Sequence, residues 1–463
     1  MTTALKVLLG DLRRLPIEIS LDPGNSPERL SDQVIADIVE GTLGIDSDRP
    51  VTLTADTADL NIHLGPHPPA ETAISAVPDG HGVRLRHAGA SYPSLSAAGT
   101  GLGAVTTAAS LTAEIFKTIT NLKPGACRQL IRLDFCPVTL GTQPGAFSTS
   151  VSELPTIALV GAGAVGTAIA TILDALGASG QITVVDPETY DTPNVTTYSL
   201  GSHTDAENQI LKVDLLAREL NRAGRLQALP IKGTAQDLII SIDEGKTPWP
   251  LMVLSGVDSI TARHEIQRIY ADFTLDGSTG GQAGTTLALH EALPLGPCLR
   301  CYYPQRATTG IVSAETRLHQ VTGLPIARIA QGDHPLSLAD LSTLSIAAQE
   351  LLRPHLGKPV CGLSNLLALS SGAADGYRPS ATFVAQQAAS LVVGALIART
   401  TGFADGPPRH VEYDARFGPQ KSMLTSRKPR PSCDCQSEQQ LIQRIRRNRA
   451  QPGGAAAGRR RHR

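Results

Sequence analysis

The sequence predicts an α/β protein organised around a doubly wound, mostly parallel sheet, and three observations carry the prediction. Ile157–Val160 is a short apolar run rich in branched residues, the composition of a strand buried on both faces. Gly161, Gly163 and Gly166 follow at G-x-G-x-x-G spacing and lead into a helix, Thr167–Leu176, that Gly177 stops. A second apolar strand, Ile182–Val185, ends in Asp186, about 20 residues beyond the glycine turn, where a carboxylate can accept ribose hydroxyls. The first two glycines let the backbone turn tightly and approach a phosphate, and the third lets the helix pack close to the strand. The glycine pattern alone also fits an ordinary strand–turn–helix. Its full context points to a nucleotide or a dinucleotide.

At 463 residues the chain is long enough for two or three domains. Lys plus Arg (41) nearly balances Asp plus Glu (42), which argues against the whole protein as a polyanion binder. No uniformly apolar run reaches the about 18 residues of a membrane span, and the N-terminus does not read as a signal peptide. A cytoplasmic location with no membrane partner is therefore expected. The most apolar helix, Thr382–Ile397, contains Gln386 and Gln387 and reads as a core helix. Seven cysteines in a cytosolic chain argue for metal or catalysis before disulfides.

Residues 1–148 are expected to form an N-terminal α/β domain. Lys6–Leu9, Ile17–Leu21, Val51–Thr54, Leu60–Leu64 and Val83–His87 read as strands, several of them alternating apolar and polar, so that one face should be wet. A helix over Ala104–Thr120 follows Gly99, Gly101 and Gly103, whose spacing does not suit a nucleotide turn. Cys127 and Cys136 have no neighbour at metal-ligand spacing and read as structural thiols in a loop. Gly141–Pro155 is small and polar with two prolines, a linker to a second domain over residues 149–436. Residues 437–463 combine a basic helix, Gln439–Arg449, with a Gly/Ala/Arg run ending Arg-Arg-Arg-His-Arg. They are expected to form a disordered, solubilising tail, with nucleic-acid contact the less favoured reading.

The candidate site residues lie downstream of Asp186. Asn194 stands eight residues on, in a Pro- and Thr-rich segment. Lys212, near the start of a helix read as Glu207–Arg222, could reach a phosphate or simply be solvated. Leu226–Ile231 and Leu251–Leu254 read as further strands, the latter leading to Gly256 and Asp258. A carboxylate at a strand's carboxyl end suits Mg²⁺ beside phosphates. The next helix, Ser259–Tyr270, carries Arg263, and a glycine-rich loop from Leu275 precedes an alternating strand. Cys298 and Cys301 form C-x-x-C, and Cys433 and Cys435 form C-x-C. Two close thiolate pairs can bind one Zn²⁺ tetrahedrally and pin distant segments together, whereas C-x-x-C alone could be a redox pair. Cys361, beside Lys358, Pro359 and Gly362, reads equally as an activated nucleophile or a small buried hydrophobe.

Taken together, several features resemble the Rossmann-like adenylation domain of ubiquitin-activating-type enzymes. They are Gly161–Gly166, Asp186 with Asn194, Lys212, Val257-Asp258-Ser259 with Arg263, Pro297–Cys301, the late Cys433/Cys435 pair and the Pro379–Ile397 helix. This ThiF/MoeB-type group includes the thiamine and molybdopterin sulfur-carrier adenylyltransferases, and the resemblance covers residues 157–435. It implies that the glycine turn holds ATP, that Asp186 binds the ribose, Asn194 and Lys212 the phosphates, and Asp258 the Mg²⁺. It further implies adenylation of the C-terminal carboxylate of a ubiquitin-like or sulfur-carrier protein ending in glycine. Pyrophosphate is released, and Cys361 is the candidate thioester carrier. A conjugating enzyme is a further possible partner, and a homodimer or a pseudo-dimer within the chain is expected.

The alternatives are adenylation of a peptide or small carboxylic acid, and a catalytically inactive nucleotide-binding scaffold. A nicotinamide-dependent oxidoreductase shares only the glycine turn. One position departs from the family pattern: an arginine is usual three residues after the asparagine, and Thr197 stands there, followed by Tyr198. Arg263 or an arginine from residues 1–148 is the expected substitute. The N-terminal domain could then be a degenerate copy of the adenylation fold.

Overall fold

Two sheets meet on a shared pair of apolar helices in the computed structural model. It describes residues 19–22, 60–68, 70, 72–119, 127–147, 151, 153–195, 197–222, 224–280, 285–304, 318–319, 322–329, 335–357, 360, 382–404 and 406–451. Met1–Tyr303 with Ser380–Arg463 form one compact unit, and Pro304–Pro379 form another.

In the larger unit the first sheet has the order β1 (Ile19–Asp22), β2 (Leu60–Leu64), β3 (Ile74–Asp79), β4 (Gly82–His87), β5 (Arg132–Phe135). The first three strands are parallel, and β4 and β5 each pair antiparallel to their predecessor. Helix α1 (Gly101–Ile119) packs on β3 and β4. The alternating polar residues do not make a wet face. Arg84 pairs with Asp79 at 2.7 Å and Arg86 with Asp134 at 2.9 Å, all four largely buried. Charges that satisfy one another can be covered where isolated ones could not. The strands expected at Lys6–Leu9 and Val51–Thr54 lie outside the described residues.

The second sheet holds β6 (Ile157–Val160), β7 (Gly180–Asp186), β8 (Leu226–Lys232), β9 (Met252–Ser255), β10 (Phe273–Gly280), β11 (Thr286–Ala292), β12 (His410–Asp414) and β13 (Leu424–Thr425). Their spatial order is β13-β12-β11-β10-β9-β6-β7-β8. From β10 to β8 all pairs are parallel, and β11, β12 and β13 extend the sheet antiparallel. Helices α2 (Ala164–Ala175), α3 (Lys212–Arg222), α4 (Ala235–Asp243) and α5 (Ile260–Ile266) follow β6, β7, β8 and β9. This is the doubly wound, Rossmann-like class that the sequence predicts. The strand order reverses at β6, so the crevice beyond the carboxyl ends of β6, β7 and β9 is where such a sheet binds ligands.

Helix α6 (Thr382–Thr400) is buried from Thr382 to Ala398. It is long and apolar enough to cross a membrane, but 94% of its apolar window is buried within the protein. Gln387 sits in this core because its amide donates to the Ala109 carbonyl of α1 at 3.2 Å. Gly394 lets α6 approach the loop after β5.

The two sheets are built alike. β6-β9-β10-β11-β12 repeats the parallel, parallel, antiparallel, antiparallel succession of β1 to β5. In each, a 19-residue helix joins the fourth strand of that series to the fifth, and both helices contain Ala-Ala-Ser-Leu, at 108–111 and 388–391. Residues 161–251 separate β6 from β9 and carry β7, β8 and their helices. Among the described residues, the N-terminal sheet has no counterpart of β7 and β8.

Three further segments differ from expectation. The helix read as Glu207–Arg222 breaks into His203–Glu207 and α3, because residues 210–212 hydrogen-bond back to the chain at Glu188–Tyr190. In the Gly141–Pro155 segment, Pro144, Val151 and Leu154 pack rather than span freely. The basic segment is a docked helix, α7 (Gln439–Ala450), not a tail: Ile442 is buried, Arg446 pairs with Asp272 over the Trp249 ring, and Arg449 meets Asp243 at 2.8 Å. Its guanidinium groups find acids and carbonyls that a count of charge along the chain does not reveal. Residues 452–463 lie outside the described residues.

In the smaller unit, short helices at Ile326–Ile329, Leu338–Ser342 and Ile346–Leu352 gather around Leu324, Leu336, Leu341 and Leu352. Cys361 lies outside the described residues.

A Cβ at Gly394 would lie 2.5 Å from the Pro137 carbonyl oxygen. Gly394→Ala is therefore expected to destabilise the larger unit by about 1–3 kcal/mol, read as a lower urea midpoint with unchanged far-ultraviolet dichroism.

Candidate nucleotide and metal sites

The glycine turn joins β6 to α2. Gly161 has φ +94°, a conformation that side chains other than hydrogen strain. A Cβ on Gly166 would lie 1.9 Å from the Gly161 carbonyl oxygen, so only glycine lets α2 start this close to β6. The N-cap residue of α2 is Gly163, which supplies no side-chain cap and leaves the first-turn amides available to an anion.

Asp186, at the end of β7, accepts hydrogen bonds from the backbone N–H groups of Ala162 (2.7 Å) and Glu188 (2.9 Å). Burial pushes its carboxyl above the ordinary carboxylate range, against the pull of the Lys212 charge and those two amides. Lys212, the first residue of α3, is buried and pairs with Glu188. Burial alone would lower its pKa, but Tyr198, Glu188 and Asp186 raise it, so it stays cationic.

These groups line one cleft of about 520 Å³ with Gly161, Gly163, Asp258 and Arg263. Asp258 is exposed at its mouth. Asn194 is not among its lining residues: its side-chain oxygen accepts from the Asp191 N–H at 2.9 Å and closes a local turn.

Arg263, on α5, lines the same cleft. Its Nε faces the buried Asp276 at 3.2 Å, and its Nη atoms donate to the Asp258 and Val257 carbonyls at 3.1 and 2.6 Å. The guanidinium also lies 4.6 Å from the Tyr303 ring centroid. These contacts engage three of its five N–H donors and shape the loop after β9. The sequence reading missed Asp276, which accepts from Ser255 at 2.6 Å and Tyr303 at 2.9 Å. A lone carboxylate within the apolar approach to the Leu275 loop was the available signal. It also missed Glu188 and Tyr198, for which no sequence signal pointed to the cleft.

The four cysteines Cys298, Cys301, Cys433 and Cys435 form a second, buried cluster, with all sulfurs within 4.8 Å of one another. Three Sγ–Sγ separations are 3.7, 3.5 and 3.6 Å. Zn–S bonds of about 2.3 Å in a tetrahedron require sulfurs about 3.8 Å apart, so the cradle fits a Zn²⁺ ion. The Arg430 N–H points at Cys301 Sγ (3.4 Å) and the Gln436 amide at Cys435 Sγ (3.7 Å), donors that suit thiolates.

Gly166→Ala is expected to open the turn and weaken nucleotide binding at least about tenfold, measured by calorimetry. The purified chain should hold one Zn²⁺. In Cys435→Ser the metal is lost, and amide exchange should speed up across Gln439–Ala450 while α2 keeps its protection, read by mass spectrometry.

The ThiF family model matches residues 149–435, more than half of the chain. No curated protein matches it. Among solved structures, E. coli MccB with MccA-N7isoASN is similar at 14% identity and TM-score 0.36, over 61% of this chain and 66% of that one, just under two thirds of its length. The microcin C7 biosynthetic enzyme MccB in complex with N-formylated MccA is similar at 13% identity and TM-score 0.37, over 62% of this chain and 67% of that one. E. coli MccB with ATP is similar at 14% identity and TM-score 0.34, over 61% and 67%. With the family model spanning the glycine turn, the cleft and both cysteine pairs, the chain belongs to the ThiF family.

Proposed function

We propose that this protein is an ATP-dependent adenylyltransferase that activates the C-terminal carboxylate of a polypeptide and releases pyrophosphate. The observation that carries this reading is the convergence of the glycine turn, Asp186, Lys212 and Asp258 on one cleft of a ThiF-family chain. Bound ATP supplies the electrophilic α-phosphate and the pyrophosphate leaving group. The turn brings backbone N–H groups against the phosphates, and Lys212 offsets charge that builds up as the carboxylate attacks. Asp186 accepts the ribose hydroxyls while it braces Ala162. Asp258 would hold Mg²⁺, and Arg263 holds the backbone that carries it. The cysteine cluster would hold Zn²⁺ in a structural role.

Two substrate classes follow. A ubiquitin-like or sulfur-carrier protein with a C-terminal glycine would be passed to a cysteine as a thioester, and Cys361 is the candidate. A peptide substrate would leave Cys361 dispensable. Cys361→Ala should abolish a thiol-cleavable adduct in the first case, while Cys127→Ala keeps it.

Calorimetry with Mg-ATP and NAD⁺ tests the reaction class. Mg-ATP is expected to bind and NAD⁺ not, with Asp186→Ala weakening Mg-ATP by about ten- to a hundredfold, as loss of a charged hydrogen-bond acceptor implies. NAD⁺ binding instead would overturn the proposal, and binding of neither would favour an inactive scaffold.

A further inference from the structure

Among the described residues, the segment after Asp186 delivers two polar side chains to the cleft: Glu188, which Lys212 holds, and Tyr198. Asn194 spends its amide oxygen on Asp191, and the Thr197 hydroxyl turns back to the Asn194 carbonyl at 3.4 Å. Neither lines the cavity, whereas Tyr198 does.

Its ring is held from two sides: it meets Tyr190 edge-on with centroids 5.7 Å apart, and the Lys212 ammonium lies 5.2 Å from its centroid. The Lys212 charge also acts on its hydroxyl, pulling the phenol's pKa down against the effect of burial. That hydroxyl also borders the glycine turn, since a Cβ on Gly163 would meet it first, at 3.5 Å. The phenolic oxygen thus stands between the turn that approaches phosphate and the cation that neutralises it.

An ammonium accepts no hydrogen bond, so Lys212 leaves the phenolic proton to be donated elsewhere. Among the described residues no protein group is recorded as taking it. Burial raises the pKa of this phenol, which keeps the proton in place at neutral pH. The nearby ammonium polarises the O–H bond and makes it a stronger donor.

We propose that Tyr198 is a phosphate-binding residue, donating its phenolic hydrogen bond to an oxygen of the bound nucleotide's phosphate chain beside Lys212. The inference rests on the nucleotide reading above and adds to it the residue that serves where Thr197 cannot reach. Tyr198 and Lys212 act as a pair: the lysine brings charge, and the tyrosine brings a directed donor at the glycine turn.

Calorimetry of Mg-ATP binding to the full chain, comparing Tyr198→Phe, Tyr198→Leu and Thr197→Ala, tests the proposal. Loss of one hydrogen bond to a charged group predicts about ten- to a hundredfold weaker binding in Tyr198→Phe, with unchanged thermal midpoint and metal content. Thr197→Ala should bind as wild type does. The proposal is overturned if Tyr198→Phe keeps wild-type affinity, whether or not Tyr198→Leu loses it, because the ring would then be only a wall. It is equally overturned if Thr197→Ala loses as much as Tyr198→Phe. A wild-type protein that binds no nucleotide overturns the adenylation reading itself, a result distinct from an indifferent Tyr198→Phe.

Discussion

The carboxylate of Asp186 accepts the backbone N–H of Ala162, and through that bond the glycine turn and the second strand of the nucleotide unit share one geometry. The turn needs it. Gly161 has a positive φ, and Gly166 sits against the Gly161 carbonyl, so the chain between them has little room to relax. A buried acceptor at the neighbouring strand end fixes the Ala162 amide, while the first-turn amides of α2 stay available to an anion. The same carboxylate lies near Lys212, which is in turn held by Glu188. Burial, the turn and the cation are therefore one arrangement, and α2 and α3 start where it puts them.

Around this point the fold uses a single plan twice. α1 and α6 are both long and apolar, and they pack against one another between the two sheets. Each sheet alone would leave a face of its helix bare, and the pair removes that cost. Among the described residues, the second sheet alone carries β7 and β8, and with them Asp186, so the shared packing joins both sheets while the cleft belongs to the second.

The cysteine cluster is tied to the cleft by chain continuity and by a buried relay. Cys301 is followed by Tyr302 and Tyr303, and Tyr303 donates to Asp276, which holds Arg263. Arg263 holds the carbonyls of Val257 and Asp258 at the mouth of the cleft. The late cysteines also anchor the start of α7, which binds Asp272 and Asp243. Four thiols from two remote segments thus fix the terminal helix and support the loop that bears Asp258.

The sequence by itself determined the nucleotide unit. A buried strand, a glycine turn and a helix are local, and each depends on residues within a few positions: branched side chains for the strand, hydrogen alone at Gly161 and Gly166 for the turn. The two cysteine pairs were legible for the same reason, since spacing within each pair is a chain property. Tertiary structure decided which polar groups meet. Arg263 was visible as a cation, but Asp276 and two carbonyls claim it. Asn194 lay at the expected spacing, but its own turn claims its amide. Tyr198 followed Thr197 in the chain with no residue pattern to single it out, and it enters the cleft where the folded segment sets Tyr190 and Lys212 against its ring. The polar alternation of β4 looked solvated until Asp79 and Asp134 were brought beside it. Local backbone preference is written residue by residue, whereas the partner of a buried charge is chosen by packing across the whole molecule.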